Sequence, residues 1–517
     1  MILNFVESND LQPIHENIDI KFKPLNGKEA KIEIFSNSSI NVTSIPSNIE
    51  IIKSESNSDN CIIENSENYA CYKFKTTRNS YGSDAHNFVI EIDNTKYNIN
   101  IKNEIFMYIG GNFTQPCMHI AKWDGANLSC LRPKKENSSP VHAIFQTLNS
   151  NLYIGRAFGT NENDDTRKSI VSLYNGNEWI ELKNEYQSFS GDKVSSLAVI
   201  EPEGQSPLVF AAGSFNLLNN LTNKNSYNLS LAIYKNNSWE WKFIGSPMTK
   251  SNKIDPAIHH ERDRVNQIFL SEDNSKLFIG GIFNQIENYE NVNLMPIQSS
   301  IGYLNNVKDF ISFSTLPIPK WTSISNSIEI PSTKCFVPFS NNILISSNLP
   351  IPSDSNFIQD FNILNKNFTS ESVTSMINTF KRSPLESNDI FIGGEKNFIL
   401  AKFKGLNSKS ITPDIKFNSG SKTNAIAITP DGKTIYIGGK YNGTEINRLK
   451  CHYLMQFDID SKIEKNYFKD PKCLDYTKSG LEKLNRNEIV NWNEKINGEI
   501  NALELQQVWS ANIEAID

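Results

Sequence analysis

The sequence predicts an all-β chain: a seven-bladed β-propeller closed by a C-terminal strand, with an immunoglobulin-like β-sandwich before it. Three observations predict it. A greasy phrase ending in a glycine pair recurs tens of residues apart, as Met107-Tyr-Ile-Gly-Gly-Asn-Phe113, Leu277-Phe-Ile-Gly-Gly-Ile-Phe283, Ile390-Phe-Ile-Gly-Gly394 and Ile435-Tyr-Ile-Gly-Gly-Lys-Tyr441. A second phrase follows each copy in phase. A third precedes every copy but the first, and its missing member stands near the C-terminus as Ile500-Asn-Ala-Leu-Glu-Leu505. Units this short cannot bury their own apolar faces, so they must stack in a line or a circle. A terminal strand that supplies what the first unit lacks closes a circle.

Degenerate copies complete the count of seven. Leu152-Tyr-Ile-Gly-Arg-Ala-Phe158, Leu208-Val-Phe-Ala-Ala-Gly-Ser-Phe215 and Ile343-Leu-Ile-Ser-Ser347 fill the gaps. The second phrase, an apolar pair leading to an aromatic, reads Ala121-Lys-Trp-Asp-Gly125, Ser172-Leu-Tyr-Asn-Gly176, Ala232-Ile-Tyr-Lys-Asn236, Ile301-Gly-Tyr-Leu-Asn305, Gln359-Asp-Phe-Asn362, Ala401-Lys-Phe-Lys-Gly405 and Leu454-Met-Gln-Phe-Asp458. The third reads Val141-His-Ala-Ile144, Val194-Ser-Ser-Leu197, Val265-Asn-Gln-Ile268, Val373-Thr-Ser-Met376 and Thr423-Asn-Ala-Ile426, with Lys334-Cys-Phe-Val337 as a poor fifth-repeat version. β-branched and aromatic residues dominate all three, so each reads as a short antiparallel strand. An outer strand is legible at Trp179-Ile-Glu-Leu182 and Trp239-Glu-Trp241. The glycines are expected where a neighbouring blade comes too close for a Cβ, with the following aromatic filling the wedge between blades.

Tyr108 to Phe113, followed by Ala121 to Gly125, resembles the repeats of kelch-like β-propellers, in particular the extracellular kind in fungal cortical polarity-marker proteins and amoeboid protist surface proteins. The resemblance covers residues 104 to 505. It implies the fold and an extracellular setting, and says little of activity. The fifth repeat departs from it most, with Ser346-Ser347 in place of the glycines.

Residues 1–102 lack the glycine phrase but alternate at period two, as in Ile18-Asp-Ile-Lys-Phe-Lys, Lys31-Ile-Glu-Ile-Phe, Phe88-Val-Ile-Glu-Ile and Tyr97-Asn-Ile-Asn-Ile. Strands with one polar face in a segment this size predict an immunoglobulin-like sandwich, though without the Cys and Trp spacing of true immunoglobulin domains. The expected domains are therefore 1–102 and 103–517, joined by a link of three residues after Ile101.

Composition narrows the function. The 517 residues carry a mild, spread-out net charge of −6, with no basic stripe or arginine cluster expected to hold phosphates, which argues against a nucleic-acid partner. Six of seven cysteines form local couples, Cys61 with Cys71, Cys117 with Cys130 and Cys451 with Cys473, which predicts disulfides and an oxidising compartment; Cys335 is left for the core. Zinc spacing is absent. Asparagine is abundant, as an A+T-rich genome would leave it, so the sequons at Asn41, Asn127, Asn220, Asn236, Asn367 and Asn442 are candidates for glycans without being proof of secretion. Asn112 also heads a sequon, inside a repeat strand where a glycan is expected to be awkward. No window suits a membrane span, and Met1-Ile-Leu-Asn-Phe-Val-Glu lacks the features of a signal peptide, so the chain reads as a fragment of a larger extracellular or cell-surface precursor.

The innermost strands are expected to present His142, Ser195, Asn266, Thr374, Asn424 and Asn501 at equivalent positions. These neutral groups include no carboxylate pair for glycoside hydrolysis, and His259-His260 point apart on any strand. The expectation is no enzyme, no cofactor and no metal, with the ring's amides and hydroxyls holding water. Asn161-Glu-Asn-Asp-Asp-Thr166 reads as a polar loop before it reads as a calcium site. Trp239 and Trp241 share a strand face, and with Trp321 in a long loop they are candidates for binding a sugar or a partner. The reading is a recognition module for a protein or glycan ligand at the cell surface, in adhesion or signalling. A carbohydrate-binding or coat protein is the alternative, and a carbohydrate-active propeller enzyme comes third.

Overall fold

The computed structural model describes residues within 18–113, 117–473 and 499–516, apart from intervening loops, chiefly 45–51, 54–68, 76–81, 132–138, 158–170, 249–263, 288–294, 313–318, 325–331, 349–355, 384–388, 404–409 and 460–467. It is all-β, and the described helical segments are the single turns Asp309–Ser312 and Lys396–Phe398. The chain divides into two compact units. The first comprises 1–107, 148–150 and 505–517; the second comprises 108–147 and 151–504.

In the first unit, Ile18–Asn26, Glu29–Ser36, Tyr69–Lys75 and Ile52–Lys53 form one sheet in that order. Its register sets Ile20 opposite Ile34 and Phe22 opposite Ile32, as the period-two pattern anticipates. A second sheet aligns Ile40–Ser44, Gly82–Ile92 and Thr95–Asn112. The three-residue link expected after Ile101 does not exist, because a single 18-residue strand, Thr95–Asn112, runs through it.

The second unit is a β-propeller-like ring of six small antiparallel sheets, numbered here in chain order. The first is Val141–Gln146, Leu152–Arg156, Val171–Tyr174 and Trp179–Glu181; the second is Gln187–Ile200, Leu208–Asn219, Lys224–Lys235 and Ser238–Lys242. The third is Arg264–Leu270, Lys276–Ile282, Ile301–Asn305 and Trp321–Ser323; the fourth is Thr333–Phe339, Asn342–Asn348, Asn356–Asn362 and Phe368–Val373. The fifth is Ile377–Arg382, Ile390–Gly394 and Ala401–Phe403; the sixth is Lys422–Ile428, Thr434–Lys440, Leu454–Ile459 and Phe468–Cys473. Inner strands of consecutive sheets pack side by side. A further set of strands, Ile120–Trp123 and Leu128–Cys130, follows Thr95–Asn112, and Glu499–Ile516 pairs with Thr95–Asn112.

Two strand assignments differ from the sequence reading. Val373 ends the outer strand of the fourth sheet, and the inner strand of the fifth begins at Ile377 instead. The pairing of Ile377 with Gly394 decides this, since Val265 with Gly281 and Thr423 with Gly439 pair identically. Thr374 lies outside the described residues, and its place is taken by Asn378. Trp321, expected in a loop, opens the fourth strand of the third sheet.

The glycine pair has two separate causes. A Cβ on the first glycine would strike the inner strand of the next sheet: from Gly155 it would lie 2.5 Å from Val194, from Gly280 2.7 Å from Thr333, and from Gly393 2.7 Å from Thr423. A Cβ on the second would strike a carbonyl oxygen of its own sheet, at 2.1 Å from Arg264 for Gly281 and 2.2 Å from Met376 for Gly394. Each of the six inner strands carries a β-bulge at this point, and the first and fourth sheets hold Arg156 and Ser347 there in place of the second glycine. The aromatics after the pair, Phe215, Phe283 and Tyr441, are buried as expected.

Candidate functional site on the inner strands

The bulges organise the inner ring. In successive sheets the register skips across His142, Ser195, Asn266, Lys334, Asn378 and Asn424, so one residue per inner strand is unpaired in its ladder. Three of these residues share a role. Asn266 Nδ2 donates to the carbonyl oxygen of Thr333 at 2.7 Å, Asn378 Nδ2 to that of Thr423 at 3.0 Å, and Asn424 Nδ2 to that of Ile500 at 3.1 Å. Thr333 and Thr423 each lie just before the bulge of the following strand. The amides expected to hold water are thus spent in joining one sheet to the next, each bond contributing about 1 kcal/mol. Between the second and third sheets, Ser196 Oγ does similar work by accepting from the Ile268 amide at 3.1 Å. The side chain of Asn501 is outside the described residues.

The fourth sheet breaks the series. It has Lys334 where its neighbours have asparagine, and Ser346-Ser347 where they have glycines. The Ile377 carbonyl, which an asparagine at 334 would serve, instead accepts from Ser346 Oγ at 3.4 Å and Cys335 Sγ at 3.8 Å. The hydroxyl at the first glycine position replaces the donor that the lysine does not supply. Burial pushes the Cys335 thiol up to about 12, so it is a packed thiol and not a nucleophile.

Lys334, passed over in the ladder register, is half-buried. Burial, and after it the charge of Arg264, holds its ammonium below the ordinary lysine range; Lys193 and Lys422 act in the same direction, and Cys335 opposes them. The residue immediately before the bulged pair is a cation in three sheets: Lys193 before Val194, Arg264 before Val265 and Lys422 before Thr423. Four cations from four sheets therefore stand on, or just before, the bulges of their inner strands. Sequence reasoning missed them because they are spread from residue 193 to 422 within an acidic chain; their only shared signal is position relative to the third phrase.

The tryptophans are not a binding platform. Trp239, Trp241 and Trp321 are 5%, 2% and 2% exposed. Trp241 Nε1 donates to the Leu182 carbonyl at 2.8 Å, its backbone exchanges hydrogen bonds with the Gln187 side chain, and its ring stands edge-on to Phe189. Trp321 Nε1 donates to the Ile244 carbonyl at 2.7 Å. Trp239 and Trp241 pack in one hydrophobic cluster of the ring and Trp321 in another, so all three face the core and not solvent. Among the described residues the exposed large apolar side chains are Met118 and Tyr234, too isolated to form a patch.

A second charged network is structural. Arg156 stands at the second glycine position of the first sheet, buried, with Nη2 2.6 Å from Glu181 Oε2 and 2.6 Å from Ser172 Oγ. This pair ties the second strand of its sheet to the fourth.

Cys117 and Cys130 form a disulfide, and Cys335 is free and buried. Cys451 is also disulfide-bonded. Cys61 and the side chains of Cys71 and Cys473 lie outside the described residues. So do Asn127, Asn220, Asn236, Asn367, the side chain of Asn41, the 161–166 loop and His259-His260. Asn442 is exposed in a left-handed turn with φ 50°, and its Nδ2 donates to the Ser419 carbonyl at 2.7 Å, while Thr444 of the same sequon is buried. Asn112 ends its strand exposed, so the strand itself is no obstacle to a glycan there. Among the described residues, no three His, Cys, Asp or Glu gather as metal ligands, and no helix is long and apolar enough to cross a membrane.

No family model matches the chain, and no curated protein does.

Proposed function

We propose that this protein is a non-catalytic extracellular recognition module, binding a protein or glycan ligand at the cell surface in adhesion or cell-cell signalling. The Cys117–Cys130 disulfide carries the reading, because such bridges persist in oxidising compartments. Support for a non-catalytic role comes from the inner ring, where Asn266, Asn378 and Asn424 are committed to joining sheets.

The same proposal includes a ring of seven blades of the kelch-like, extracellular type, with an immunoglobulin-like domain at its N-terminal side. Two series support the seventh blade. A Cβ on Gly438 would lie 2.6 Å from Ile500, as the Cβ of each earlier first glycine would strike the next inner strand, and a Cβ on Gly110 would lie 2.6 Å from Val141 of the first sheet. Trp123 packs edge-on against Tyr436 at 5.7 Å, which brings the Ile120–Trp123 strand beside the sixth sheet. Strands from the two ends of the chain would then share one blade, as in other closed rings.

Protein isolated from its natural source and alkylated without reduction tests the compartment: Cys117 and Cys130 should stay unmodified, and labelling of both as free thiols overturns the assignment. Binding of the fluorescent protein to intact cells tests recognition. Loss after protease treatment of the cells identifies a protein ligand, loss after glycosidase treatment a glycan, and absence of any saturable binding defeats the proposal.

A further inference from the structure

The cationic cluster on the inner ring has no place in the repeat's own architecture. Blades are held together by amides and hydroxyls, and Lys334 gives up that bond. The cluster is nonetheless built with care. The backbone of Lys193 bridges to Ala157 and that of Lys422 to Glu395, each in the preceding sheet, so the roots of these two side chains are fixed. Arg264 is paired in its ladder with Ile282. Lys334 starts from a bulge, one residue further along its strand. Among the described residues, no carboxylate stands within salt-bridge distance of Lys193, Arg264 or Lys334. Glu499 takes the corresponding position, before Ile500, in the Glu499–Ile516 strand.

Like charges held together repel, and at the half-buried Lys193, Lys334 and Lys422 the repulsion is less screened than at the exposed Arg264. The fold keeps three of them where neutral residues occupy the equivalent places in other sheets, at Pro140, Ser332 and Met376, and adds Lys334 from the bulge of the fourth sheet. A multivalent anion removes that repulsion at once. Arginine supplies a planar fork and lysine a point charge, a combination that suits a tetrahedral oxyanion.

We propose that Lys193, Arg264, Lys334 and Lys422 form an anion site at one end of the inner ring, selective for a doubly charged tetrahedral oxyanion of the phosphate or sulfate class. The ligand is either the free ion or a terminal ester group on a sugar; both present the same oxygens. The site does not depend on the recognition role proposed above.

The whole chain, titrated with inorganic phosphate and separately with sulfate against sodium chloride of equal ionic strength, tests it by calorimetry and thermal unfolding. The expected result is saturable binding, with Tm raised by about 5 °C at a hundredfold excess over Kd. Lys334→Met, nearly isosteric and neutral, should weaken binding by about tenfold or more. In chloride the same variant should melt at or above the wild-type temperature, because it loses a buried charge; a purely structural lysine would melt lower. Arg264→Gln, at an exposed position, provides a second variant should Lys334→Met fail to fold, and should also lose the oxyanion response. A sulfated disaccharide that displaces phosphate assigns the ester as the ligand, and binding of the free ions alone assigns the ion; either sustains the site. Wild-type protein that responds to phosphate and sulfate no more than to chloride overturns it, as does a response undiminished in both variants.

Discussion

The third and fourth sheets of the ring begin from the same template and diverge at three positions. In the third, Gly280 and Gly281 accept the close approach of Thr333 and of the Arg264 carbonyl, and Asn266 ties the sheet to the fourth. In the fourth, serines replace both glycines, Lys334 replaces the asparagine, and Ser346 with Cys335 covers the Ile377 carbonyl left without an amide. The substitutions compensate one another. The difference teaches that the glycine pair and the bulge residue act as one device, and that the repeat least like the others is where the ring departs from pure architecture.

The comparison breaks most severely through the glycines. Gly281→Ala places a Cβ 2.1 Å from the Arg264 carbonyl oxygen, a backbone atom that cannot swing aside. The expected loss is about 3 kcal/mol or more, seen as a lowered urea midpoint or as insoluble protein. The reverse change in the fourth sheet, Ser347→Gly, should cost only about 1 kcal/mol, from backbone entropy. Equal losses for the two would mean that the second glycine position is not set by the bulge.

Removing the tie comes next. Asn378→Ala leaves the Thr423 carbonyl without its amide donor and should cost about 1–2 kcal/mol by urea denaturation, as should Asn424→Ala at Ile500. Lys334→Asn runs the other way. It restores the template residue beside Ile377 and removes a buried charge, so stability should rise by about 1 kcal/mol; a fall would show that Ser346 and Cys335 already satisfy that carbonyl fully.

The smallest effect is in pH. Lys334 is held below the ordinary lysine value by burial and then by Arg264, Lys193 and Lys422, with the Cys335 thiol beside it acting oppositely. Between its lowered value and about 10.4 the unfolded chain binds this proton more tightly than the folded chain does. Stability therefore gains from this group as pH rises through that window, and the burden is complete below it. The difference in urea midpoint between wild type and Lys334→Asn should narrow as pH rises toward about 10.4, and a constant difference would remove the titration from the account.

Much of the ring was legible because each strand phrase carries its own chemistry. Leu152-Tyr-Ile154, Leu277-Phe-Ile279 and Ile435-Tyr-Ile437 are buried strands as their composition requires. Phase failed at Val373-Thr-Ser-Met376, whose apolar pattern imitates an inner strand while its pairing is that of an outer one. Binding residues fared worse. Trp239 and Trp241 do share a face, as alternation demands, yet which way a face points depends on what packs against it.

By itself the sequence determined that the chain is built of short antiparallel strands in phased groups, because strand propensity and glycine tolerance are local properties of a few residues. The bulge on every inner strand was decided only by the tertiary structure, since a one-residue slip in pairing leaves no mark in the spacing of a phrase. The gathering of Lys193, Arg264, Lys334 and Lys422 was decided there as well. Electrostatic interaction depends on distance through space, and the packing of successive inner strands relates residues that are remote along the chain.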